Sequence, residues 1–127
     1  MQVNGLTIRR YKTAGAAARA LAQDVVRALA AKPELVLGLP TGHTPLPLYR
    51  RLVALHGAGQ ADFTRVTTFN LDEFVGLPAA HPGSYHAFMQ EHLFGPVGLA
   101  PRQAHVLDGA STDTDAECRR YEARIAR

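Results

Sequence analysis

Apolar residues recur at helical spacing in the Ala-rich segment 14–31, which predicts the first long helix. The helix is expected to begin at Thr13 or Ala14. Lys32-Pro33 ends it, because proline cannot continue a helix and restricts the residue before it. The pattern predicts a stripe packed on a sheet, made of Ala18, Leu21, Val25, Ala28 and Leu29.

Four stretches have the pattern of strands. Leu35–Leu39 is continuously apolar, which is typical of a parallel strand covered on both faces. Val66–Phe69 is β-branched and aromatic, and it should stop at Asn70. Shorter strands are predicted at Thr7–Tyr11 and His105–Leu107.

Capping residues predict three further helices. Thr44 is the expected N-cap of a helix that starts at Pro45, is closed by Gly57 and Gly59, and buries Leu48, Leu52 and Leu55. Ser84 is expected to cap a helix with inward residues Tyr85, Phe88, Met89 and His92 or Leu93. A capping box at Thr114–Glu117 predicts a last helix with the apolar stripe Cys118, Tyr121 and Ile125.

Strands that alternate with helices imply right-handed crossovers and a parallel sheet with helices on both faces. The chain is therefore predicted to be an α/β protein, with residues 1–127 forming part of a single domain. The last helix runs to Arg127 without a C-cap glycine or a following strand, although the alternation predicts a strand next. We therefore expect a chain that is truncated within its domain.

Composition narrows the classes of function. Hydrophobic residues make up 46% of the 127 residues, and the net charge of +3 is spread along the chain, which argues against a nucleic-acid partner. No segment approaches the ~20 apolar residues that span a bilayer, so no membrane partner is expected. Cys118 is the single cysteine, which favours a reducing compartment, the cytoplasm, and a role as a small core residue.

The six histidines predict no metal site. His81, His86 and His92 follow one another at intervals that do not reproduce a zinc-binding pattern on one helical face.

Two strand ends carry the candidate chemistry, since ligands of open parallel sheets bind outside the carboxyl ends of the strands. After Leu39, Gly42 lets the backbone approach a ligand, and the N–H groups of Gly42, His43 and Thr44 at a helix N-terminus suit an anion such as phosphate. Thr41 and Thr44 add hydroxyl donors. An ordinary strand-to-helix turn with a good N-cap explains the same residues, and neither nucleotide-binding fingerprint is present.

The second strand end offers carboxylates. Asp72 and Glu73 follow the strand, where a carboxylate can be held partly desolvated and act as a base. In the alternative interpretation, Asp72 caps a turn and Glu73 is solvated. A phosphate anchor beside a base is the minimum apparatus for proton chemistry on a sugar phosphate.

Three stretches occur together in a known order and spacing: LGLPTGHTPLPLY (residues 37–49), VTTFNLDEFVGLPAAHPGSYHAFM (66–89) and LDGASTDTDAECRRYEARI (107–125). They resemble the N-terminal half of the glucosamine-6-phosphate deaminase family, over about residues 35–127. The most specific part is the Phe69–Leu77 string followed by His81-Pro82-x-Ser84-Tyr85. Sister families such as 6-phosphogluconolactonase share the phosphate loop in looser form.

The resemblance implies a three-layer αβα fold with a Rossmann-like sheet, and conversion of glucosamine 6-phosphate to fructose 6-phosphate and ammonia without a redox cofactor. It implies that Asp72 takes the proton from C2 of the open-chain amino sugar and that Tyr85 lines the site. Deaminases of this family are often homo-oligomers. The loop implied to hold the sugar phosphate comprises Thr41, Gly42, His43 and Thr44.

Two departures from the family pattern bear on activity. His43 stands where the family usually has Gly or Ser, and its imidazole either adds charge to a phosphate or narrows the pocket. The family's second half, with the Asp, His and Glu that assist ring opening and the basic residues that clamp the phosphate, is not in these 127 residues. We therefore expect little or no turnover from this chain alone.

Two other functions compete with a deaminase. A 6-phosphogluconolactonase-like hydrolase is disfavoured by the Asn70-x-Asp72-Glu73 string. A sugar-phosphate-sensing module of a transcriptional regulator should carry a basic recognition helix, and no segment before residue 35 has one.

Overall fold

The computed structural model describes all residues, Met1–Arg127, as alternating strands and helices. A parallel sheet with the strand order β3-β4-β5 forms the centre, and β1 pairs only with β2. This arrangement confirms the predicted α/β class. The elements are β1 (Gln2–Val3), β2 (Leu6–Thr7), α1 (Ala14–Ala31), β3 (Val36–Leu39), α2 (Leu46–Gly57), β4 (Thr67–Asn70), α3 (Tyr85–Met89, continued by a π-helical turn over Gln90–Phe94), β5 (Ala104–His105) and α4 (Thr114–Ile125).

The first residues form an antiparallel hairpin, so the strand predicted at Thr7–Tyr11 is wrong. Asn4 and Gly5 both have positive φ, 49° and 81°. Two such residues in succession make the tight turn whose twist matches a hairpin. The chain therefore reverses at Asn4-Gly5, and β2 ends at Thr7.

Helix α1 begins as predicted, with the Thr13 hydroxyl accepting a hydrogen bond from the Ala16 N–H at 3.1 Å. The predicted stripe is confirmed at Leu29, which is buried, and at Val25, which packs against the core, but not at Leu21. Ala22 and Leu29 are buried, whereas Leu21 is 48% exposed and lies on a groove between α1, β3 and α2.

The sheet has one well-covered face and one partly covered face. In the register of β3 and β4, Leu39 lies opposite Asn70. Side chains alternate along a strand, so Leu39 and Asn70 face the core beside α1 and α2, while Val36 and Gly38 face the side of α4. Because α4 does not reach over β3, Val36 is 56% exposed and Gly38 is also exposed. The prediction of a strand buried on both faces is therefore wrong at these two positions.

The prediction of Thr114 as the N-cap of α4 is wrong by one residue. The N-cap is Asp113, whose carboxylate accepts from the Ala116 N–H at 2.9 Å, and Thr114 is the first helical residue. Cys118 is exposed, so its prediction as a core residue is wrong. Ile125 of the same stripe is 50% exposed, and only Tyr121 of the three is buried.

The remaining elements lie close to their predicted positions. Ser84 caps α3 by accepting from the Ala87 N–H at 3.0 Å, as predicted. Strand β4 runs from Thr67 to Asn70 and β5 from Ala104 to His105, each displaced by a residue or two. None of the helices combines the length and the apolar character that a membrane span requires. The centre of the core consists of residues with almost no exposed surface. They include Tyr49, Leu52, Val66, Met89, Leu93 and Phe94.

Candidate active site

The loop between β3 and α2 presents backbone donors without acceptors. Gly42 has a φ of +94°, a conformation that favours glycine. None of the N–H groups of residues 41–44 donates a hydrogen bond within the chain. Helix α2 begins at Leu46, preceded by Pro45, and no side chain caps it. The prediction of Thr44 as N-cap is therefore wrong. The donors that stay open are those of residues 41–44, directly before the helix.

The predicted loop residues differ in exposure. Thr41 is half-buried, whereas Gly42, His43 and Thr44 are exposed. The His43 carbonyl accepts from the Leu46 N–H at 3.2 Å, which forms the turn into α2. The loop therefore sits on the protein surface with its backbone donors accessible, and the His43 imidazole stands at its rim.

Two buried side chains hold the entrance of this loop. The Tyr49 hydroxyl of α2 donates to the Pro40 carbonyl, and the Asn70 amide of β4 donates to the Leu39 carbonyl at 3.0 Å. Burial raises the pKa of Tyr49, so this hydroxyl keeps its proton and remains a donor. The loop is thus tied both to the helix that follows it and to the neighbouring strand.

Asp72 follows the neighbouring strand and is free of protein partners. Its side chain is exposed and takes part in no hydrogen bond or ion pair within 4 Å in the chain. The expectation of a partly desolvated carboxylate is therefore wrong for Asp72 in this chain. The side chain does not cap a turn either, so its oxygens are available to a ligand.

Glu73, in contrast, is fully engaged. One carboxylate oxygen accepts from the Phe74 N–H at 2.9 Å and the Tyr85 N–H at 2.8 Å, and the other accepts from the His86 N–H at 3.0 Å. These bonds contradict the interpretation of Glu73 as a solvated side chain. They connect the segment after β4 to the first turn of α3.

Tyr85 lies at the first position of α3, within the segment that Glu73 binds. Its ring is half-buried and packs against Phe74, with 4.6 Å between the ring centroids and 39° between the planes. The ring therefore belongs to the same local assembly as the Asp72 loop.

The structure brings the two predicted strand ends together. Because Leu39 is opposite Asn70 in a parallel pair, the segments that leave the sheet there start from strands about 4.8 Å apart. One carries residues 41–44 and the other carries Asp72. The ties made by Tyr49 and Asn70 are not predicted from the sequence, and Glu73 is predicted only as a base or a solvated side chain. For Asn70 a signal existed, since a polar residue closes an otherwise apolar and β-branched strand.

Residues 9–127 match the family described as glucosamine-6-phosphate isomerases/6-phosphogluconolactonase. The chain belongs to this family. The match covers every element that builds the candidate site, from α1 to α4.

Within the family, the chain is similar to curated glucosamine-6-phosphate deaminases. The protein from Serratia proteamaculans is 52% identical over 95 residues, which are 75% of this chain and 36% of that protein. Glucosamine-6-phosphate deaminase 1 of Giardia intestinalis is 46% identical over 105 residues, 83% of this chain and 40% of that one. The chain thus spans well under half the length of these relatives.

Solved structures agree with the assignment. A monomeric glucosamine-6-phosphate deaminase superposes with a TM-score of 0.91 and 35% identity over 95% of this chain and 50% of its own. A 6-phosphogluconolactonase from Thermotoga maritima shares the fold, with a TM-score of 0.73 and 20% identity over 94% of this chain and 52% of that one.

Proposed function

We propose that this chain contributes the phosphate loop and the proton acceptor of a glucosamine-6-phosphate deaminase. The pairing of Leu39 with Asn70 carries the proposal, since it starts a loop of open backbone donors and a free carboxylate from neighbouring strands. About 50% identity to curated deaminases supports the substrate. The rest of a deaminase's length lies outside this chain.

The phosphate of the substrate is proposed to bind at residues 41–44. The open N–H groups of residues 41–44 lie at the N-terminus of α2, where the positive end of the helix dipole also attracts an anion. This combination is sufficient to bind a phosphate. The Thr41 and Thr44 hydroxyls add donors, and Gly42 allows close approach of the backbone. His43 at the rim adds positive charge when it is protonated.

Asp72 is proposed to act on the open-chain form of the amino sugar. Its carboxylate removes the proton from C2, and the electron pair of that bond forms the C1–C2 double bond of an ene-aminol as the C1 aldehyde oxygen is protonated. Return of a proton to C1 leaves an imine at C2. Water then adds to the imine and ammonia leaves, which gives fructose 6-phosphate. Tyr85 is proposed to line the same pocket.

The proposal also covers the location, the cofactor requirement and the assembly of the enzyme. We expect it to act in the cytoplasm on a small-molecule sugar phosphate and without a redox cofactor. Assembly into a homo-oligomer also stays a prediction, and the solved deaminase that this chain resembles is described as monomeric.

The test uses a chimera in which this chain replaces the matching segment of the Serratia proteamaculans deaminase. Asp72→Asn in the chimera is expected to lower ammonia release from glucosamine 6-phosphate by about 10²–10⁴-fold, because the proton acceptor is lost. Binding of the substrate, measured by calorimetry, should change little. The control is Asp115→Asn, which removes an exposed carboxylate in the first turn of α4.

The proposal is contradicted if the chimera releases ammonia and Asp72→Asn releases it at the same rate. It is equally contradicted if the chimera folds and binds no glucosamine 6-phosphate. The 127-residue chain alone, assayed beside the chimera, is expected to release no ammonia.

A further inference from the structure

Asp72 lies between two anchored residues. On one side, the Asn70 side chain is buried and bonded to β3, and its carbonyl accepts from the Tyr121 hydroxyl at 2.8 Å. On the other side, Glu73 accepts three backbone N–H groups. Only Leu71 separates Asp72 from the first anchor, and no residue separates it from the second. Because the Asp72 carboxylate has no partner of its own, its location depends on these flanking anchors.

The second anchor is connected to the core. Helix α3, which supplies the Tyr85 and His86 donors, continues into a buried stretch that includes Met89 and Leu93. Its N-cap, Ser84, is also buried, and the Ser84 hydroxyl donates to the Ala79 carbonyl at 2.9 Å. Glu73 therefore attaches the Asp72 segment to a helix that is itself fixed.

Building on the proposed function, we propose that Glu73 is a positioning residue that sets where the Asp72 carboxylate meets the substrate. Glu73 contacts no reacting atom in this proposal. It acts by holding the backbone next to Asp72 against the first turn of α3, so that a free carboxylate is nevertheless kept in one place.

The same contacts occupy the N-terminal donors of α3, so the loop before α2 keeps the free donors for a phosphate. The first three N–H groups of α3 are all satisfied within the chain, two by Glu73 and the third by the Ser84 hydroxyl. At α2, by contrast, no side chain caps the helix and residues 41–44 keep their donors free. The Glu73 carboxylate thus occupies the neighbouring helix start, and its negative charge disfavours a phosphate there.

The kinetic test compares Glu73→Ala, Glu73→Gln and the control Glu91→Gln in the chimera described above. Glu91 is exposed on the π-helical turn that continues α3, so its loss removes the same charge without the anchor. Glu73→Ala is expected to lower kcat by about 100-fold with KM nearly unchanged, since a displacement of about 1 Å can cost that much. Glu73→Gln keeps an acceptor oxygen and should retain more of kcat than Glu73→Ala.

A second measurement needs no activity. Hydrogen exchange of the Tyr85 and His86 amides in the 127-residue chain should accelerate in both Glu73 variants and stay unchanged in Glu91→Gln. If Glu73→Ala does not fold, Glu73→Gln alone decides, by the same two readouts. The proposal is overturned if kcat of folded Glu73→Ala, or of Glu73→Gln where Glu73→Ala does not fold, stays within about twofold of the parent, or if KM rises while kcat is kept.

The outcomes separate this inference from the proposed function. If the chimera's activity does not depend on Asp72, the deaminase proposal fails, whatever the amides of α3 do. If activity depends on Asp72 and not on Glu73, only the positioning role fails.

Discussion

At the scale of single residues, buried hydroxyl and amide groups hold the candidate site by bonding to the main chain. The Tyr121 hydroxyl of α4 lies 2.8 Å from the carbonyl oxygens of Asn70 and His105. Its single proton is therefore shared between the carbonyls of the last residues of two neighbouring strands, β4 and β5. Its ring also packs edge-on against Phe69, at 5.8 Å between centroids. One side chain thus sets the spacing of the strand ends beneath Asp72.

Tyr121→Phe removes this donor and leaves buried carbonyl groups without it. The free energy of unfolding is expected to fall by about 1–3 kcal/mol, measured by urea denaturation. Tyr11→Phe is the control, because Tyr11 is 40% exposed. Equal stability of the two variants would contradict the assigned role.

The same residue predicts a pH dependence. Burial raises the pKa of Tyr121 to about 12 from its ordinary value of 10.0. A raised pKa means that the folded state favours the neutral phenol, so its stabilisation is complete below pH 10 and is lost as the pH rises toward 12. The urea midpoint should therefore decline over this range, and less steeply in Tyr121→Phe. An identical slope in the variant would exclude Tyr121 as a cause.

At the scale of elements, the sequence predicted where helices occur better than where they start. Thr13 and Ser84 are the caps that the pattern indicated. At Asp113-Thr114, both residues are good N-caps, so local preference could not choose between them. At Thr44-Pro45 the turn through His43 decides the start, a feature of the loop's backbone that propensity does not encode.

The start of α4 gives a direct test of this distinction. Asp113→Ala is expected to lower the free energy of unfolding by about 1 kcal/mol, because the Ala116 N–H loses its acceptor. Thr114→Ala, one residue later, should be close to neutral, since alanine is a better helix former. Urea denaturation measures both, and a larger loss in Thr114→Ala would restore the capping box predicted from the sequence.

At the scale of the whole molecule, the meeting of the two strand ends followed from the sequence, because parallel strands place their carboxyl ends at one edge. The exposure and the contacts of each side chain did not follow from the sequence. The exposure of Val36 depends on how far α4 extends over the sheet, and the contacts of Glu73 depend on where α3 packs. Both result from tertiary packing, which hydrophobic periodicity along a single segment does not describe.

Gly109 shows such a long-range contact between two loops. The Gly76 N–H donates to the Gly109 carbonyl at 2.7 Å, and a Cβ on Gly109 would collide with the Phe74 carbonyl oxygen and lie 2.6 Å from that of Leu77. The segment that carries Asp72 and Glu73 therefore packs, backbone on backbone, against the loop before α4.

Gly109→Ala is expected to destabilise the fold by about 1–3 kcal/mol, because the loops must separate to admit the methyl group. Thermal unfolding measures the effect. Gly57→Ala is the control, since a Cβ there meets no atom within 4 Å and the residue ends α2. A melting temperature for Gly109→Ala equal to that of the control would show that the two loops do not pack so closely.

The donors that hold the site all bond to main-chain carbonyls, and this bears on how such a protein can diverge. Tyr49 binds the carbonyl of Pro40, Asn70 that of Leu39, and Tyr121 that of His105. Every residue type presents the same carbonyl, so substitutions on the accepting side leave these bonds intact. These bonds therefore put no constraint on the side chain of the accepting residue, whereas loss of a donor removes the bond, so purifying selection is expected on the few donors. A lineage can in this way change most of its sequence and inherit the spacing between loop and carboxylate unchanged.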